Sequence, residues 1–174
     1  MDLTGKRVAV LAENMYQELE VWVPLMRLRE AGAEVIVVGT GSASTYTSKL
    51  GYPIQVDCAA GDIDAATLDG VVVPGGYAPD LLRRYPDVLS LVRALFDAGK
   101  VVAAICHAGW VLASAKVLAG KRATCVAAIK DDIIHAGAEY VDAEVVRDGN
   151  LITSRMPSDL PAFCRTIVQA LSGG

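Results

Sequence analysis

Hydrophobic positions in this chain gather into short continuous runs separated by segments with helical spacing. Arg7 to Ala12, Glu34 to Gly39, Gly70 to Pro74 and Val101 to Ile105 read as four buried strands. Runs of Val, Ile and Ala without polar alternation suit a strand covered on both faces. Between the first two, residues 18–31 predict a helix ended by Gly32, with Leu19, Trp22, Val23 and Met26 on one apolar stripe and Pro24 either kinking it or lying near its start. Residues 40–57, carrying Gly, Ser and Thr, predict an irregular or hairpin-like extension. A short helix is expected near Pro79 to Arg83 and a longer one from Pro86 to Ala98, closed by Gly99. The run 101–105 reads as a central strand leading straight into a helix that reaches about Ala115. The tail predicts a strand near 122–126, a helix near 128–135, short strands at 139–147 and 150–154 about the turn Asp148-Gly149-Asn150, and an amphipathic helix from Ser158 to Leu171. Alternation of this kind predicts an α/β fold, a mostly parallel sheet with helices on both faces.

Composition narrows the reading. At 174 residues the chain suits one domain over 1–174, and 53% hydrophobic against 21% charged residues excludes a disordered chain. Sixteen Lys and Arg against twenty Asp and Glu, with no basic cluster beyond Arg83-Arg84, argue against a nucleic-acid or anionic-membrane partner. The longest stretch free of charge, Val101 to Ala115, holds fifteen residues and is too short to span a membrane. Asp2, Lys6 and Arg7 open directly onto the first strand, so no signal peptide is expected and a cytoplasmic location follows. Four widely spaced cysteines, Cys58, Cys106, Cys125 and Cys164, with no C-x-x-C pair, suggest reduced thiols and neither a zinc site nor a disulfide framework.

In open parallel sheets the ligand crevice lies at the carboxyl ends of the strands. Three of these ends are unusual: Glu13 to Glu20, Gly75-Gly76 and Cys106-His107. A cysteine at a sharp strand-to-helix turn is lifted into the crevice. There it meets the helix N-terminus, which is expected to lower its pKa and favour thiolate. The amides of His107 and Gly76 are candidates for an oxyanion hole, the glycine pair allowing close backbone approach. His107 is a candidate base, although adjacent side chains on a tight turn point in different directions. Glu20, flanked by Leu19, Val21, Trp22 and Val23, is expected to have a raised pKa and to donate a hydrogen bond or a proton. Asp80 reads equally as a catalytic acid or as an N-cap. Tyr77, Trp22 and Trp110 are candidates for the pocket wall, with core packing the preferred reading for both tryptophans. Cys58, Cys125 and Cys164 read as inert, and His135 as a surface helix cap.

These residues resemble the ThiJ/PfpI superfamily and, within it, the PfpI-type intracellular protease branch. The carriers are Glu20 four residues before Pro24, Val73-Pro74-Gly75-Gly76 with Ala78-Pro79-Asp80, the elbow Ala104-Ile105-Cys106-His107, Ile129-Lys130-Asp131-Asp132 leading to Ala136-Gly137, and Asp148 through Arg155. The resemblance spans nearly the whole chain. It implies a flavodoxin-like three-layer sandwich related to class I glutamine amidotransferases, with Cys106 as nucleophile and Glu20 as its hydrogen-bonding acid. It further implies that Asp80 orients His107 of a neighbouring subunit in a homodimer, from which the protease branch builds hexamers. The chain departs from the branch at Asp80, commonly a glutamate, at Ala108-Gly109-Trp110, often beginning Gly-Pro, and at Val126, commonly aromatic.

The function expected on this basis is a cofactor-independent, metal-free enzyme acting on α-oxoaldehydes such as methylglyoxal or on glycated protein, of glyoxalase III or deglycase type, with a stress-response role. Two alternatives stand beside it. One is a cysteine peptidase with a triad of Cys106, His107 and Asp80 across subunits. The other is a redox sensor or chaperone in which Cys106 oxidises to a sulfinate.

Overall fold

Strands without polar alternation must be covered on both faces, and the computed structural model, which describes residues 2–173, places them so. Along the chain come β1 (Arg7–Leu11), α1 (Glu18–Glu30), β2 (Glu34–Gly39), the hairpin strands β3 (Thr45–Thr47) and β4 (Pro53–Gln55), β5 (Cys58–Ala59), β6 (Gly70–Val73), α2 (Ala78–Leu82), α3 (Pro86–Asp97) and β7 (Val101–Ile105). The second half adds α4 (Gly109–Ser114), β8 (Arg122–Ala123), α5 (Lys130–His135), β9 (Glu139–Tyr140), β10 (Val145–Asp148), β11 (Leu151–Ser154) and α6 (Leu160–Leu171).

A seven-stranded sheet runs in the order β10-β11-β7-β6-β1-β2-β5. Its pairs are parallel except for the β10–β11 hairpin. Helices α1 and α6 pack together, α6 against β7 and β11, while α3 lies on β6 and β7 and meets α4. Every residue of β6 and β7 is buried, as the unbroken apolar runs require. Strand 101–105 sits one place from the centre of the sheet, which β6 occupies.

The sheet also locates the site. From β1 the chain crosses one way to β2 and later the other way to β6, so the order reverses between β1 and β6. A crevice opens at such a reversal beyond the carboxyl ends of the strands.

Several expectations change. The buried face of α1 is Glu20, Val21, Pro24, Leu25 and Leu28. The predicted stripe faces out, with Leu19 50%, Val23 37% and Met26 54% exposed and Trp22 half-buried. Apolar residues occupy two faces of this helix, so periodicity alone cannot choose the inner one. Pro24 lies in mid-helix, where it withdraws the N–H that the Glu20 carbonyl would otherwise accept. The strand near 122–126 shortens to Arg122–Ala123, and Cys125 lies beyond it, buried. The last helix begins at Leu160, after a tight turn at Pro157–Asp159. Cys58 lies half-buried in the edge strand β5.

Candidate active site

The loop after β1 and the Gly75-Gly76 turn after β6 are laced together. The N–H groups of Tyr77 and Ala78 donate to the Met15 carbonyl at 2.9 and 3.3 Å, and that of Gln17 donates to the Gly75 carbonyl at 3.2 Å. Gly76 has φ +79°, and a Cβ there would lie 2.5 Å from the Met15 oxygen, so backbone conformation and backbone crowding both exclude a side chain. Gln17 ends the loop as the N-cap of α1, its side-chain oxygen accepting from the Glu20 N–H at 3.0 Å. That cap sets where Glu20 points.

Cys106 follows β7 directly and has φ +63°, a left-handed conformation unusual for a residue with a Cβ. Strain of this kind persists where surrounding structure enforces it and concentrates at functional sites. Here the turn directs the sulfur toward Gly75 and Glu20. A Cβ built on Gly75 would lie 2.5 Å from Glu20 Oε2, 2.6 Å from Cys106 Cβ and 3.1 Å from its Sγ. Glu20, fully buried, accepts from the Gly75 N–H at 2.8 Å through Oε2, while its buried Oε1 meets no donor in hydrogen-bond geometry.

Burial acts on both members of this pair. It pushes the Glu20 carboxyl up to about 7, against the opposing pull of the Gly75 N–H and the Cys106 side chain. It pushes the Cys106 thiol up to about 12, with the neighbouring Glu20 charge adding to it and the N–H groups of Gly76 and His107 opposing. The expected lowering of the Cys106 pKa is therefore corrected. A three-residue tight turn at Cys106–Ala108 separates the sulfur from α4, and α4 has only six residues, so a short dipole is outweighed by desolvation. The two amides expected to form an oxyanion hole face the sulfur itself.

His107 Nδ1 lies 3.3 Å from Cys106 Sγ, so the adjacent side chains do meet. Burial, and after it the charge of Lys49, lower the His107 pKa, which leaves a neutral ring able to accept a proton. Its other neighbour is the Trp110 ring, 5.1 Å away and tilted, whose Nε1 donates to Asp132 at 2.6 Å. Asp80 is not the N-cap of α2, a place held by Tyr77; it sits inside the first turn and pairs with Arg84. Among the described residues, no carboxylate of the same chain is hydrogen-bonded to His107.

A cavity of about 480 Å³ opens over these groups. Of the residues singled out from sequence it brings together Glu20, Gly76, Tyr77, Cys106, His107 and Trp110, with Gly75 beneath and Asp80 outside. Trp110 is thus a wall residue, whereas Trp22 packs edge-on to Tyr52. Gln17, Lys49, Met156 and Pro157 also line the cavity and were not anticipated. A polar or apolar residue in a turn carries no periodic signal, so only the fold reveals them. A neighbouring groove of about 570 Å³ beside Leu19, Trp22, Leu50 and Tyr52 is larger but holds no nucleophile.

Comparison with known proteins agrees with this architecture. The DJ-1/PfpI family profile matches residues 6–170. The chain is 41% identical over 165 residues to a protein of Thermococcus kodakarensis named a deglycase, covering 95% of this chain and 99% of that one. It is 38% identical to the putative cysteine protease YraA of Bacillus subtilis, covering 96% and 99%. Identity is also 38% to protein/nucleic acid deglycase 2 of Escherichia coli, covering 96% and 98%. Among solved structures, a two-domain protein of Anabaena variabilis with DJ-1/ThiJ/PfpI-like and ferritin-like domains superposes with a TM-score of 0.94 at 42% identity, covering 96% of this chain; the chain spans 48% of that protein. DJ-1beta of Drosophila melanogaster superposes with a TM-score of 0.90 at 31% identity, covering 100% of this chain and 92% of that one.

Proposed function

The chain belongs to the DJ-1/PfpI family, and we propose that it is a cysteine-dependent enzyme of deglycase or glyoxalase type, acting on α-oxoaldehydes such as methylglyoxal or on their adducts with protein. The observation that carries this reading is the meeting of half-buried Cys106 and His107 with fully buried Glu20 at the floor of a cavity sized for a small carbonyl compound.

The reaction starts from a thiol, because burial holds the proton on Cys106. His107 Nδ1, at 3.3 Å, accepts that proton as the sulfur attacks the aldehyde carbon. A C–S bond forms, the carbonyl π electrons move to oxygen, and the amides of Gly76 and His107, which face the sulfur, are the donors proposed for the oxyanion that develops beside it. Removal of the proton from the aldehyde carbon gives an enediol, and its reprotonation on the adjacent carbon gives the thioester of a 2-hydroxy acid. Glu20, with a pKa near neutrality, suits this transfer. Water then cleaves the C–S bond of the acyl group, returning the thiol and releasing lactate, so that methylglyoxal and water are the only reactants. In a deglycase reaction the same sulfur attacks the adduct carbon and the protein amine is the leaving group.

A homodimer fits the outer face of α1. Leu19, Val23 and Met26 lie exposed there at i, i+4 and i+7, next to Leu50, 86% exposed, and Tyr52, 58% exposed. A contiguous apolar surface of this kind marks an interface. In the assembly Asp80 of one subunit approaches His107 of another, which supplies the acid that its own chain does not. The acidic composition argues against a nucleic-acid partner, and the name of the Escherichia coli relative, protein/nucleic acid deglycase 2, weighs against that exclusion. No helix among the described residues is long and apolar enough to cross a membrane. A cytoplasmic location, a stress role and action as a single domain belong to the proposal.

The peptidase reading is favoured by the name of the Bacillus subtilis relative. Purified protein given methylglyoxal without glutathione, and separately given unfolded protein, separates the two. Lactate without proteolysis supports the carbonyl reading, and proteolysis without lactate replaces it.

A further inference from the structure

The hairpin β3–β4 has no part in the sheet, yet it is tied firmly to the active-site loop. The Met15 N–H donates to the Thr47 carbonyl at 2.7 Å and the Lys49 N–H to the Tyr16 carbonyl at 3.0 Å. The Tyr16 hydroxyl donates to the Tyr52 carbonyl at 2.6 Å, and the Leu50 N–H donates to Glu18 Oε1 at 2.7 Å. Within the turn, Ser48 Oγ accepts from the Tyr52 N–H at 2.8 Å. These bonds fix the backbone at residue 49, an exposed lysine that borders the cavity over Cys106. Lys49 is the one lysine or arginine in that lining.

Two further observations give the ammonium a task. Among the described residues, no carboxylate lies within ion-pair distance of Lys49, whereas Arg7, Arg27 and Arg93 are each paired with a carboxylate on the surface. The charge nevertheless reaches the reacting groups as well as Glu18: at Glu20 it opposes the stronger effect of burial, and at His107 it adds to the lowering that burial causes. The remaining wall, formed by Tyr77, Trp110, Val126, Met156 and Pro157, offers an anion no other cation, His107 being neutral.

We propose that Lys49 recognises a carboxylate on the electrophile that Cys106 attacks, so that the preferred substrates are α-oxoaldehydes carrying an anionic group rather than methylglyoxal itself. This rests on the carbonyl reading above for the identity of the substrate, and on the cavity alone for the recognition of the anion. For such a compound the balance is that of methylglyoxal: 4,5-dioxopentanoate and water give 2-hydroxyglutarate, the aldehyde carbon being oxidised and the neighbouring ketone reduced, with the distal carboxylate unchanged and held by the ammonium.

The test separates the two layers. Cys106 alkylation is measured by peptide mass spectrometry with iodoacetate and with iodoacetamide, near-isosteric reagents that differ in charge, on wild type, Lys49→Met and Lys49→Arg. In each case sulfur displaces iodide, and the ratio of the two rates cancels any change in thiol reactivity. The ratio of anionic to neutral reagent is expected to fall about tenfold in Lys49→Met and to recover in Lys49→Arg, as one charge-assisted contact implies. An unchanged ratio in Lys49→Met overturns the proposal. In parallel, kcat/KM for 4,5-dioxopentanoate against its methyl ester should favour the acid in wild type and lose that preference in Lys49→Met. A preference equal in both proteins also overturns it. Alkylation that follows charge, with neither aldehyde turned over, supports the anion site and removes the carbonyl reading alone.

Discussion

Cys106 Sγ lies 3.3 Å from Nδ1 of His107, its neighbour in the chain, because a left-handed φ of +63° at the cysteine turns the two side chains toward one another. On an extended strand, successive side chains point to opposite faces. The strained elbow thus brings a thiol and an imidazole together from consecutive positions, as the proposed nucleophile and base require, and burial, which raises the thiol pKa, makes a base necessary to that proposal.

Glu20 carries a measurable signature in stability. Its carboxyl is raised from 4.5 to about 7 by burial, so between those values the unfolded chain releases a proton that the native chain keeps. The contribution is fully present below the unfolded pKa and is lost as pH rises through the folded one. Stability should fall across this window by up to about 3 kcal/mol relative to Glu20→Gln, which has no proton to lose. Urea unfolding of both proteins at about pH 5 and about pH 8 reads the difference. Parallel pH profiles would show that Glu20 is not held protonated.

Gly75→Ala forces a methyl group against Glu20 Oε2 and Cys106 Cβ. Both are fixed parts of the site, so the substitution should cost about 1–3 kcal/mol. It should also lower turnover far more than an equally destabilising change in α3. Thermal melting and turnover on the same samples decide it, and full activity in Gly75→Ala contradicts the packing described.

The dimer proposed at the outer face of α1 should be lost when that face is charged. Met26, 54% exposed on the apolar stripe, can become Glu without touching the core. Sedimentation velocity is expected to show a dimer for wild type and a monomer for Met26→Glu, with unchanged far-ultraviolet circular dichroism. A monomeric wild type, or a variant that still dimerises through α1, speaks against the assignment.

Sharing of Asp80 between subunits predicts complementation. Asp80→Ala and Cys106→Ser are each expected to be inactive, yet mixed oligomers place an intact Asp80 beside an intact Cys106. Activity recovered on mixing and subunit exchange supports supply across the interface. Silence after verified exchange means that Asp80 acts within its own chain or not at all.

Much of the architecture was legible because buried parallel strands leave unbroken apolar runs, as at β1, β2, β6 and β7. The elbow was legible for the same reason, since Cys106 stands where the last such run ends. What escaped depends on partners distant in sequence. The inner face of α1 was misplaced because Val21, Leu25 and Leu28 compete with Leu19, Val23 and Met26 on a helix apolar on two sides. The state of the thiol was misjudged because a helix N-terminus is a local signal, while burial and the Glu20 carboxyl arrive through tertiary structure. Lys49 sits in a hairpin turn, where a lysine ordinarily meets only water, and nothing local ties it to residue 106.

The central claim is that Cys106 attacks an α-oxoaldehyde carbon. Wild type and Cys106→Ser, incubated in parallel with methylglyoxal and without glutathione, test it most directly when lactate is quantified and the protein is weighed by mass spectrometry. The account predicts lactate from wild type together with a covalent adduct of one methylglyoxal on Cys106, and neither from the serine variant. Equal lactate from both proteins, or none from wild type, would contradict it.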